Sequence, residues 1–426
     1  MPQAIEYFRS VPRWLLMRSL SSRWPGLSTG PLSCIRNADL PHPPLPTPEW
    51  VRIRTQLSGI CGSDLSAIAC KGSPYFSPFV STPFVLGHEI VGEIIETGGA
   101  VHHEWKEGTR VVLEPALSCE VRGINPPCRP CSAGHYAHCE NILKGSIKAG
   151  IQTGYCASTG GGWSAATLVA HPSQLHAVPP ELGNELAVLA EPFACAIHGA
   201  IKAPLDKDST ILVLGCGAVG LLTIRAYRAI GGLGHVLAAA RYAHQADMAR
   251  KLGADEVLCE RGSEALYRWV LDWASGTDAQ STERFTINNK GIYRPEIGKP
   301  VLLGGADCVL DCVGSSASLD DALRLTRPHG TLVVIGMPGI PRNVDWTSIW
   351  YKELRIQGSY AYGWEQMPDG RRVKTMQLAL EHLSGGGGIL KGLVNRRYPL
   401  EEYRTALEGA FRAGPSGAFK TVFEVN

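Results

Sequence analysis

Side chains that bind zinc occur at separate places in the first half of the chain. Cys61 lies in the run Gly-Ile-Cys-Gly-Ser-Asp, His88 and Glu89 follow Gly87, and Glu191 lies in Ala-Glu-Pro. Thiolate, imidazole and carboxylate are zinc ligands, and a catalytic zinc takes three protein ligands and keeps one position open. Taken singly, such a histidine is more often a satisfied structural residue and such a cysteine a buried apolar one. Spacing alone therefore does not pair these residues.

A second cluster contains only cysteines. Its four members are Cys119, Cys128, Cys131 and Cys139. Two cysteines separated by two residues form a metal-chelating turn, and four thiolates make a closed tetrahedral zinc site. The prolines and glycine between them suit a turn-rich lobe that a metal holds together. The alternative is coincidental thiols or a redox pair.

A glycine-rich loop follows a short apolar run and precedes an apolar helix. The run is Ile211 to Leu214, and the predicted helix covers Leu221 to Ile230. Such a loop permits a tight strand-to-helix turn, lets backbone approach a pyrophosphate, and points helix N–H groups at the anion. The residues that we assign to cofactor binding here are Gly215, Gly217, Ala218, Val219 and Gly220. The alternative is an ordinary tight turn.

The end of the next predicted strand bears on the choice of cofactor. His235 to Ala240 reads as a strand, and Arg241 follows it. An acidic residue about 20 positions past the loop would bind the ribose 2′-hydroxyl of NAD, and none is present. Arg241 would instead pair with a 2′-phosphate, so we favour NADP over NAD. The alternative is that Arg241 points into solvent.

The order of elements predicts an α/β protein. Residues 1–185 read as mostly β, residues 186–362 alternate strand and helix as in a doubly wound sheet, and residues 363–426 form a tail. Gly314 and Gly336 follow predicted strand ends, where such sheets bind the nicotinamide half of the cofactor. A polar stretch, residues 276–300, is too long for a plain connection; it is a surface loop, a lid or an oligomer contact.

In this order, the motifs resemble those of the zinc-dependent medium-chain alcohol dehydrogenase family. The resemblance covers nearly the whole chain from Trp50 onward, and Glu191-Pro192 is most similar to the polyol, threonine and glucose dehydrogenase branch. It implies a GroES-like catalytic domain (1–185) with a structural zinc lobe (115–142), a Rossmann cofactor domain (186–362) and a C-terminal return to the first domain (363–426).

The resemblance also implies an activity: hydride transfer between a nicotinamide cofactor and an alcohol (a secondary alcohol, polyol or sugar) or its carbonyl counterpart. A catalytic zinc would be held by Cys61, His88 and Glu89 or Glu191, with Cys195 a lower-ranked competitor for the place of Glu191. The four-cysteine lobe would hold a second, structural zinc. Relatives are homodimers or homotetramers.

Two further residues are given roles by the resemblance. Asp64 would orient His88 through its other ring nitrogen, and Ser63 would hydrogen-bond the substrate hydroxyl and begin the proton path. Two departures stand out. Eight residues, 120–127, separate Cys119 from Cys128 where the family has two, and Ser66 occupies the position of a frequent relay histidine.

Composition excludes several other classes. The 426 residues carry a formal net charge of +2, so nothing argues for nucleic acid or an anionic membrane surface. No apolar run approaches the roughly 18 residues of a membrane span. Thirteen cysteines, not spread as a disulfide framework, predict reduced thiols and a metal in a cytoplasmic protein. Glu6 and the prolines argue against an organelle transit peptide, so we expect a first strand or arm.

Three alternative functions remain at this stage. A zinc-independent reductase on the same scaffold would lack the cysteine–histidine–glutamate set and the lobe. A non-catalytic cofactor-binding protein would have lost Cys61 or His88. A zinc ribbon that binds nucleic acid would need a dense basic face, and the lobe carries only Arg122 and Arg129.

Overall fold

The computed structural model of the chain describes residues 3–21, 23–260, 262–276, 292–367 and 369–425. The chain divides into two units. The first combines Met1–Ala194 with Ala361–Asn426, and the second is Cys195–Tyr360.

The first part of the chain contains short strands and helices. The strands are β1 (Gln3–Tyr7), β2 (Ile35–Asp39), β3 (Val51–Gly59), β4 (Phe84–Val85), β5 (Ile90–Thr97), β6 (Arg110–Leu113), β7 (Leu168–Ala170) and β8 (Leu175–Ala177). The helices are α1 (Val11–Leu20), α2 (Gly62–Ile68), α3 (Arg129–Ser132), α4 (Asn184–Ala187) and α5 (Ala190–Ala200). Short 3₁₀ helices cover Pro25–Ser28, Pro74–Phe79, Tyr136–His138 and Pro172–Gln174.

The rest of the chain alternates strand and helix before it returns to the first unit. The strands are β9 (Thr210–Leu214), β10 (His235–Ala239), β11 (Glu256–Leu258), β12 (Ile292–Tyr293), β13 (Val301–Leu302), β14 (Ala306–Asp311), β15 (Thr326–Val334), β16 (Arg355–Gly358), β17 (Trp364–Gln366), β18 (Arg372–Lys374), β19 (Val394–Pro399) and β20 (Lys420–Glu424). The helices are α6 (Ala218–Ala229), α7 (Ala243–Leu252), α8 (Ser263–Gly276), α9 (Ser316–Leu325), α10 (Thr347–Tyr351), α11 (Thr375–Gly386), α12 (Tyr403–Phe411) and α13 (Ala413–Ser416). Two further 3₁₀ helices cover Gly387–Leu390 and Leu400–Glu402.

The second unit is built on a six-stranded parallel sheet. Its strand order is β11-β10-β9-β14-β15-β16, the order of a doubly wound dinucleotide-binding sheet. All five residues of β9 are buried, as expected for a strand covered on both faces. Leu212, Leu237, Val309 and Leu332, one from each of four neighbouring strands, share one core cluster. The predicted α/β fold is confirmed.

The first unit contains a seven-stranded sheet in the order β19-β20-β3-β5-β6-β8, with β7 also paired to β3. The C-terminal strand β20 runs antiparallel to β3, so the tail of the chain is part of the first unit. β3 and β5 are also antiparallel, and their pairing matches Ser58 with Ile90. This register brings the end of β3 and the start of β5 together, and the proposed zinc ligands lie there.

A second, three-stranded sheet lies directly upstream of His88. β1 runs between β2 and β4, antiparallel to both. Leu86 donates its backbone N–H to Ile5 and accepts one from Trp163, at 3.0 and 2.9 Å. The fully buried Trp163 donates its indole N–H to the carbonyl of Gly59 at 3.1 Å. The two segments that carry the proposed zinc ligands are therefore tied to one core residue.

Two elements have boundaries that the apolar pattern alone does not mark. The apolar pattern predicts a strand from Gly330, but β15 begins at Thr326 because Ala306 pairs with Thr326 before a register shift. The same kind of pattern predicts a helix from Val373, but this helix begins at Thr375, since Val373 lies in β18. Part of the predicted insertion, residues 277–291, lies outside the described residues. Near the end of the insertion, β12 pairs antiparallel with β13, which follows it. Among the described residues, no helix combines the length and apolarity needed to cross a bilayer.

Candidate active site

The first group of potential metal ligands consists of Cys61, His88 and Glu89. One ligand atom from each residue lies within 4.8 Å of the other two. The residues meet because β3 and β5 pair at this end: the backbone N–H of Gly59 donates to the carbonyl of Glu89 at 2.9 Å. His88 and Glu89 are buried and Cys61 is partly exposed. The cluster thus combines three zinc-ligand types in a shielded position that Cys61 leaves accessible.

Asp64 lies against the ring of His88. Its Oδ1 lies 3.2 Å from Nδ1 of His88, and its Oδ2 accepts the backbone N–H of Cys61 at 3.0 Å. Burial disfavours the imidazolium, but Asp64 and then Cys61 raise the pKa of His88 well above its ordinary value. Because Nδ1 faces Asp64, Nε2 is the nitrogen left for a metal. Asp64, in the first turn of α2, thus connects both ligand segments.

Lys420 is a partner of the cluster that the sequence analysis missed. It begins β20, is almost fully buried, and forms an ion pair with Glu89 through Nζ and Oε2. Its Nζ also donates to the carbonyl of Ile60 at 3.1 Å. Burial lowers the pKa of Lys420, but Glu89 and Cys61 outweigh burial and raise it, so the ammonium stays charged. No local spacing links Lys420 to Glu89; only the pairing of β20 with β3 does.

Gly59 is the second residue that the sequence analysis missed. A Cβ atom at this position would overlap Oε2 of Glu89 and approach Cε of Lys420 to 2.9 Å. In this arrangement the ion pair occupies the space that a side chain at position 59 would fill. The sequence did contain an indication that Gly59 belongs to the site, since Gly59 is the first residue of the Gly-Ile-Cys-Gly-Ser-Asp run.

Glu191 and Ser63 are the two remaining residues of the predicted catalytic site. Glu191, in the first turn of α5, is buried and is not a member of the three-residue cluster. It contributes to the raised pKa of Lys420, so its carboxylate faces the same ammonium group. The hydroxyl oxygen of Ser63 is shielded from solvent and has no hydrogen-bond partner in the described structure. Such an orphaned group awaits a ligand or water.

The second group of potential metal ligands consists of the four cysteines of the lobe. Sγ atoms of all four lie within 4.8 Å of one another. Backbone N–H groups point at the sulfurs: Cys128 donates to Cys119 at 3.3 Å, Glu140 to Cys128 at 3.4 Å, and Asn141 to Cys139 at 3.4 Å. Such donors stabilise thiolates, so the set fits a closed tetrahedral zinc.

The glycine loop has the geometry that its spacing predicts. Gly215 has a φ of +90°, and a Cβ at Gly220 would overlap the carbonyl oxygen of Gly215. Gly217 caps α6, and a Cβ there would meet nothing within 4 Å. The first and third glycines are thus needed by the chain itself, whereas the space beside Gly217 is open to a ligand. Ala218 and Val219 form the first turn of α6, whose free N–H groups favour an anion.

The end of β10 carries no carboxylate. Ala240 is buried and donates its backbone N–H to Leu258 at 2.8 Å. Arg241 is exposed, and its guanidinium lies 5.9 Å from the ring centroid of Tyr242. A ligand phosphate at this strand end would therefore meet a cation and no opposing acid within these residues.

Two glycines meet at the ends of β14 and β15. A Cβ on Gly314 would lie 2.6 Å from the carbonyl carbon of Gly336, so the two backbones are in direct contact. Asp311, which the sequence analysis did not single out, holds this turn: its Oδ1 accepts the N–H groups of Val313 and Gly314 at 3.0 and 3.2 Å. Burial raises the pKa of Asp311.

Two sequence families match successive parts of the chain. Residues 47–180 match the alcohol dehydrogenase GroES-like domain, and residues 218–375 match the zinc-binding dehydrogenase family. The first match includes the three-residue cluster and the four cysteines, and the second begins within the glycine loop, at Ala218.

Named relatives align over nearly the whole chain. Sorbitol dehydrogenase of Bacillus subtilis is 28% identical over 89% of this chain and 91% of its own length. L-idonate 5-dehydrogenase of Vitis vinifera is 27% identical over 89% and 88%. The solved structure of 2R,3R-butanediol dehydrogenase from Bacillus subtilis superposes with a TM-score of 0.69 at 21% identity and covers 100% of both chains. The chain therefore belongs to the zinc-dependent medium-chain alcohol dehydrogenases, which transfer hydride between an alcohol or its carbonyl counterpart and a nicotinamide cofactor.

Proposed function

We propose that this enzyme oxidises a secondary hydroxyl of a polyol or sugar alcohol, and reduces the matching ketone, with Cys61, His88 and Glu89 as its metal site. The observation that carries the proposal is the cluster of three different ligand atoms within 4.8 Å in a shielded position. Relatives whose names specify sorbitol and L-idonate support the substrate class. We assign residues 1–185 and 363–426 to catalysis and residues 186–362 to cofactor binding.

When bound, zinc supplies a Lewis acid that lowers the pKa of a substrate hydroxyl, and the nicotinamide takes up the hydride. Side chains of the protein position the ligands and handle the proton. Asp64 faces the His88 ring, and Ser63 would accept a hydrogen bond from the substrate hydroxyl on its unpartnered oxygen and pass its own proton on toward solvent. Lys420 holds the carboxylate of Glu89. Glu191 remains the alternative third ligand, as the family resemblance implies.

We propose two zinc ions per chain. The three-residue cluster keeps a position free for substrate, whereas four thiolates would saturate a tetrahedral ion in the lobe. The N–H groups directed at the sulfurs support permanent thiolates in the lobe. The lobe ion would be structural, because no fifth group is needed there.

We propose NADP as the preferred cofactor. Gly217 leaves room beside the first turn of α6 for a pyrophosphate, and Arg241 follows β10 without an acidic neighbour at that strand end. A carboxylate at this position would repel a 2′-phosphate, whereas a guanidinium pairs with it. The proposed preference for NADP over NAD depends on the charge of Arg241, so a single substitution of Arg241 tests it.

We propose a homodimer or homotetramer. β16 is an edge strand of the six-stranded sheet, and all four of its residues are exposed. Trp350 and Tyr351, just before it, are 69% and 62% exposed. The unpaired backbone groups of an edge strand can hydrogen-bond to a strand of another chain. If two copies are related by a two-fold axis, the edge strand of each copy pairs with that of the other. Light scattering coupled to size exclusion gives the mass directly.

We propose a cytoplasmic location. All thirteen cysteines are free thiols in the structure, as expected in a reducing compartment. The proposed substrate is a small molecule, and the net charge of +2 gives no reason to expect a nucleic acid or membrane partner.

The proposed function is tested by an absorbance assay at 340 nm after metal analysis. The panel contains polyols, sugars, simple secondary alcohols and their ketones, each with NAD and NADP. We expect turnover with at least one polyol, and none in Cys61→Ser or His88→Ala variants that still bind cofactor. Full activity in either variant would remove the metal cluster from the chemistry.

A further inference from the structure

The lengthened connection between Cys119 and Cys128 is a fixed part of the first unit. Arg122, in its centre, is fully buried. Its guanidinium donates to the carbonyl oxygens of Leu117, Lys144, Lys148 and Gly150 at 3.2, 3.1, 3.4 and 2.5 Å. A charged group with four acceptors is well satisfied, so this connection has one defined conformation. The metal chemistry of the lobe does not account for it.

This connection forms one wall of a cavity of about 600 Å³. The volume lies within the range of small-molecule sites, about 300–1,000 Å³. The cavity adjoins the four-cysteine cluster through Cys131, and none of its lining residues belongs to the cluster of Cys61, His88 and Glu89. The lining residues that matter for recognition are Glu114, Ser118, Glu120, Tyr136, Trp364 and Lys374. We call this cavity the lobe pocket.

The lobe pocket contains a buried polar group without a partner. Tyr136 is 8% exposed, and its hydroxyl makes no hydrogen bond within the described structure. Burial and then the nearby Glu114 raise the pKa of Tyr136, so the group remains a neutral phenol that can donate. A ligand hydroxyl would supply the partner that this buried group lacks.

The acid in the pocket is buried and already oriented. Glu114 is 3% exposed, and His176 Nε2 lies 2.9 Å from its Oε2. Lys374 Nζ lies 3.8 Å from the same oxygen and 5.3 Å from the Tyr136 ring centroid, and it donates to the carbonyl of Ser173. The ammonium group of Lys374 therefore already interacts with other groups of the protein. With the exposed Glu120 also in the lining, the pocket offers no surplus positive charge for a phosphate.

An aromatic side chain completes the pocket. Trp364 is 38% exposed and lines the cavity. Its backbone N–H donates to the carbonyl of Gly134 at 3.1 Å, and the guanidinium of Arg372 lies 5.1 Å from its ring. The ring is therefore held on the lobe. A flat apolar face beside a carboxylate and a phenol suits a ligand with both C–H faces and hydroxyl groups.

We propose that the lobe pocket binds an uncharged polyhydroxylated small molecule, a sugar or polyol, whose carbon skeleton packs on Trp364 and whose hydroxyls bond to Tyr136 and Glu114. The site is separate from the proposed catalytic cluster and does not depend on the proposed function. An anionic ligand would meet two carboxylates, and a purely apolar one would leave the phenol unpaired.

Calorimetric titration of the zinc-loaded, full-length enzyme without cofactor tests the proposal, with glucose, sorbitol, inorganic phosphate and ethanolamine as probes. We expect glucose or sorbitol to bind, and Tyr136→Phe and Trp364→Ala each to weaken that binding at least tenfold. Tyr136→Phe removes one oxygen from a buried ring, so thermal unfolding should show an intact fold. Trp24→Ala, which removes another exposed tryptophan of the first unit, should change nothing.

Binding at the catalytic cluster is distinguished by a His88→Ala variant, in which the lobe-pocket component should persist. Three results would overturn the proposal. One is the absence of any sugar or polyol binding that responds to Tyr136→Phe or Trp364→Ala. Another is binding of phosphate or ethanolamine that responds to them instead. The third is a change of oligomeric mass in Trp364→Ala with no effect on sugar binding, which would mean that a second copy fills the pocket.

Discussion

Lys420 and Glu89 form a buried ion pair between the C-terminal strand and the segment that carries His88. The pair stands beside Cys61 and His88, and Gly59 gives it space. A carboxylate held by an ammonium group has one oxygen committed, so Lys420 determines how Glu89 is presented to a metal. The tail of the chain would thereby take part in the proposed zinc site.

Removing the ammonium group should leave a buried carboxylate unpaired. We expect Lys420→Met to lower the free energy of unfolding by about 3–5 kcal/mol, measured by denaturant titration of enzyme stripped of its catalytic zinc, in which no metal pairs with Glu89. Lys420→Arg, which keeps the charge, should lose less, and the exposed Lys106→Met should lose nothing. Adding Glu89→Gln to Lys420→Met should recover part of the loss. Equal stability of Lys420→Met and the parent would show that the pair is not formed.

A methyl group at Gly59 should displace Glu89. We expect Gly59→Ala to lose one of two zinc equivalents by elemental analysis, because its Cβ would occupy the space of the Glu89 carboxylate. The matched control is Gly183→Ala, where a Cβ meets nothing within 4 Å and φ is −68°. If Gly59→Ala kept both zinc ions, a Cβ at position 59 would not displace the Glu89 carboxylate, contrary to this prediction.

The lobe cysteines should hold a zinc that is independent of catalysis. We expect Cys139→Ser to lose one zinc equivalent and to unfold at a lower temperature, since the lobe relies on a metal to close it. The exposed Cys259→Ser should keep both ions. If Cys139→Ser kept its full zinc content, the four-thiolate assignment would be wrong.

Arg241 should set the cofactor preference. We expect Arg241→Ala to raise KM for NADP by about tenfold, a loss of about 1.4 kcal/mol, and to leave KM for NAD nearly unchanged. Arg250→Ala, on the exposed side of α7, is the control. Steady-state kinetics with both cofactors measure this. A larger effect on NAD than on NADP would reverse the assignment.

Lys352 should make stability depend on pH. Its Nζ donates to the carbonyls of Arg324 and Thr326 at 2.7 and 2.8 Å, and burial lowers its pKa to about 8 from 10.5. Because the folded pKa lies below the unfolded one, the unfolded chain binds more protons between pH 8 and 10.5, and stability rises with pH there. The gain is at most about 3 kcal/mol.

Lys352→Met removes this titration, so the comparison with the parent isolates it from tyrosines and cysteines that titrate nearby. Urea unfolding of both proteins at several pH values is the measurement. We expect the parent to gain stability relative to the variant as pH rises through this window. If the two profiles ran parallel, the carbonyls of Arg324 and Thr326 would be keeping the pKa of Lys352 at its ordinary value.

Local patterns predicted the strand–turn–helix unit around the glycine loop well, because it is contiguous in the chain. Gly215, Gly217 and Gly220 lie within this one unit, so their spacing fixes their relation. The proposed zinc ligands are different. Cys61 and His88 meet only because β3 and β5 pair, and spacing gives no register between two strands.

The least predictable residues were those that act across the whole first unit. Lys420 follows a helix and begins an apolar strand, and nothing near it in the chain signals a buried charge. The early start of β15 was missed for a related reason. The strand continues through Pro328 and Gly330 because a register shift between Ala306 and Cys308 accommodates the extra residues.

The measurement that tests the central claim most directly is anomalous diffraction from crystals at the zinc absorption edge. We expect a peak within about 2.0–2.3 Å of Cys61 Sγ and His88 Nε2. That peak should vanish in Cys61→Ser together with turnover, while the peak among the lobe cysteines remains. A crystal with zinc in the lobe, full turnover and no density between Cys61 and His88 would contradict the account.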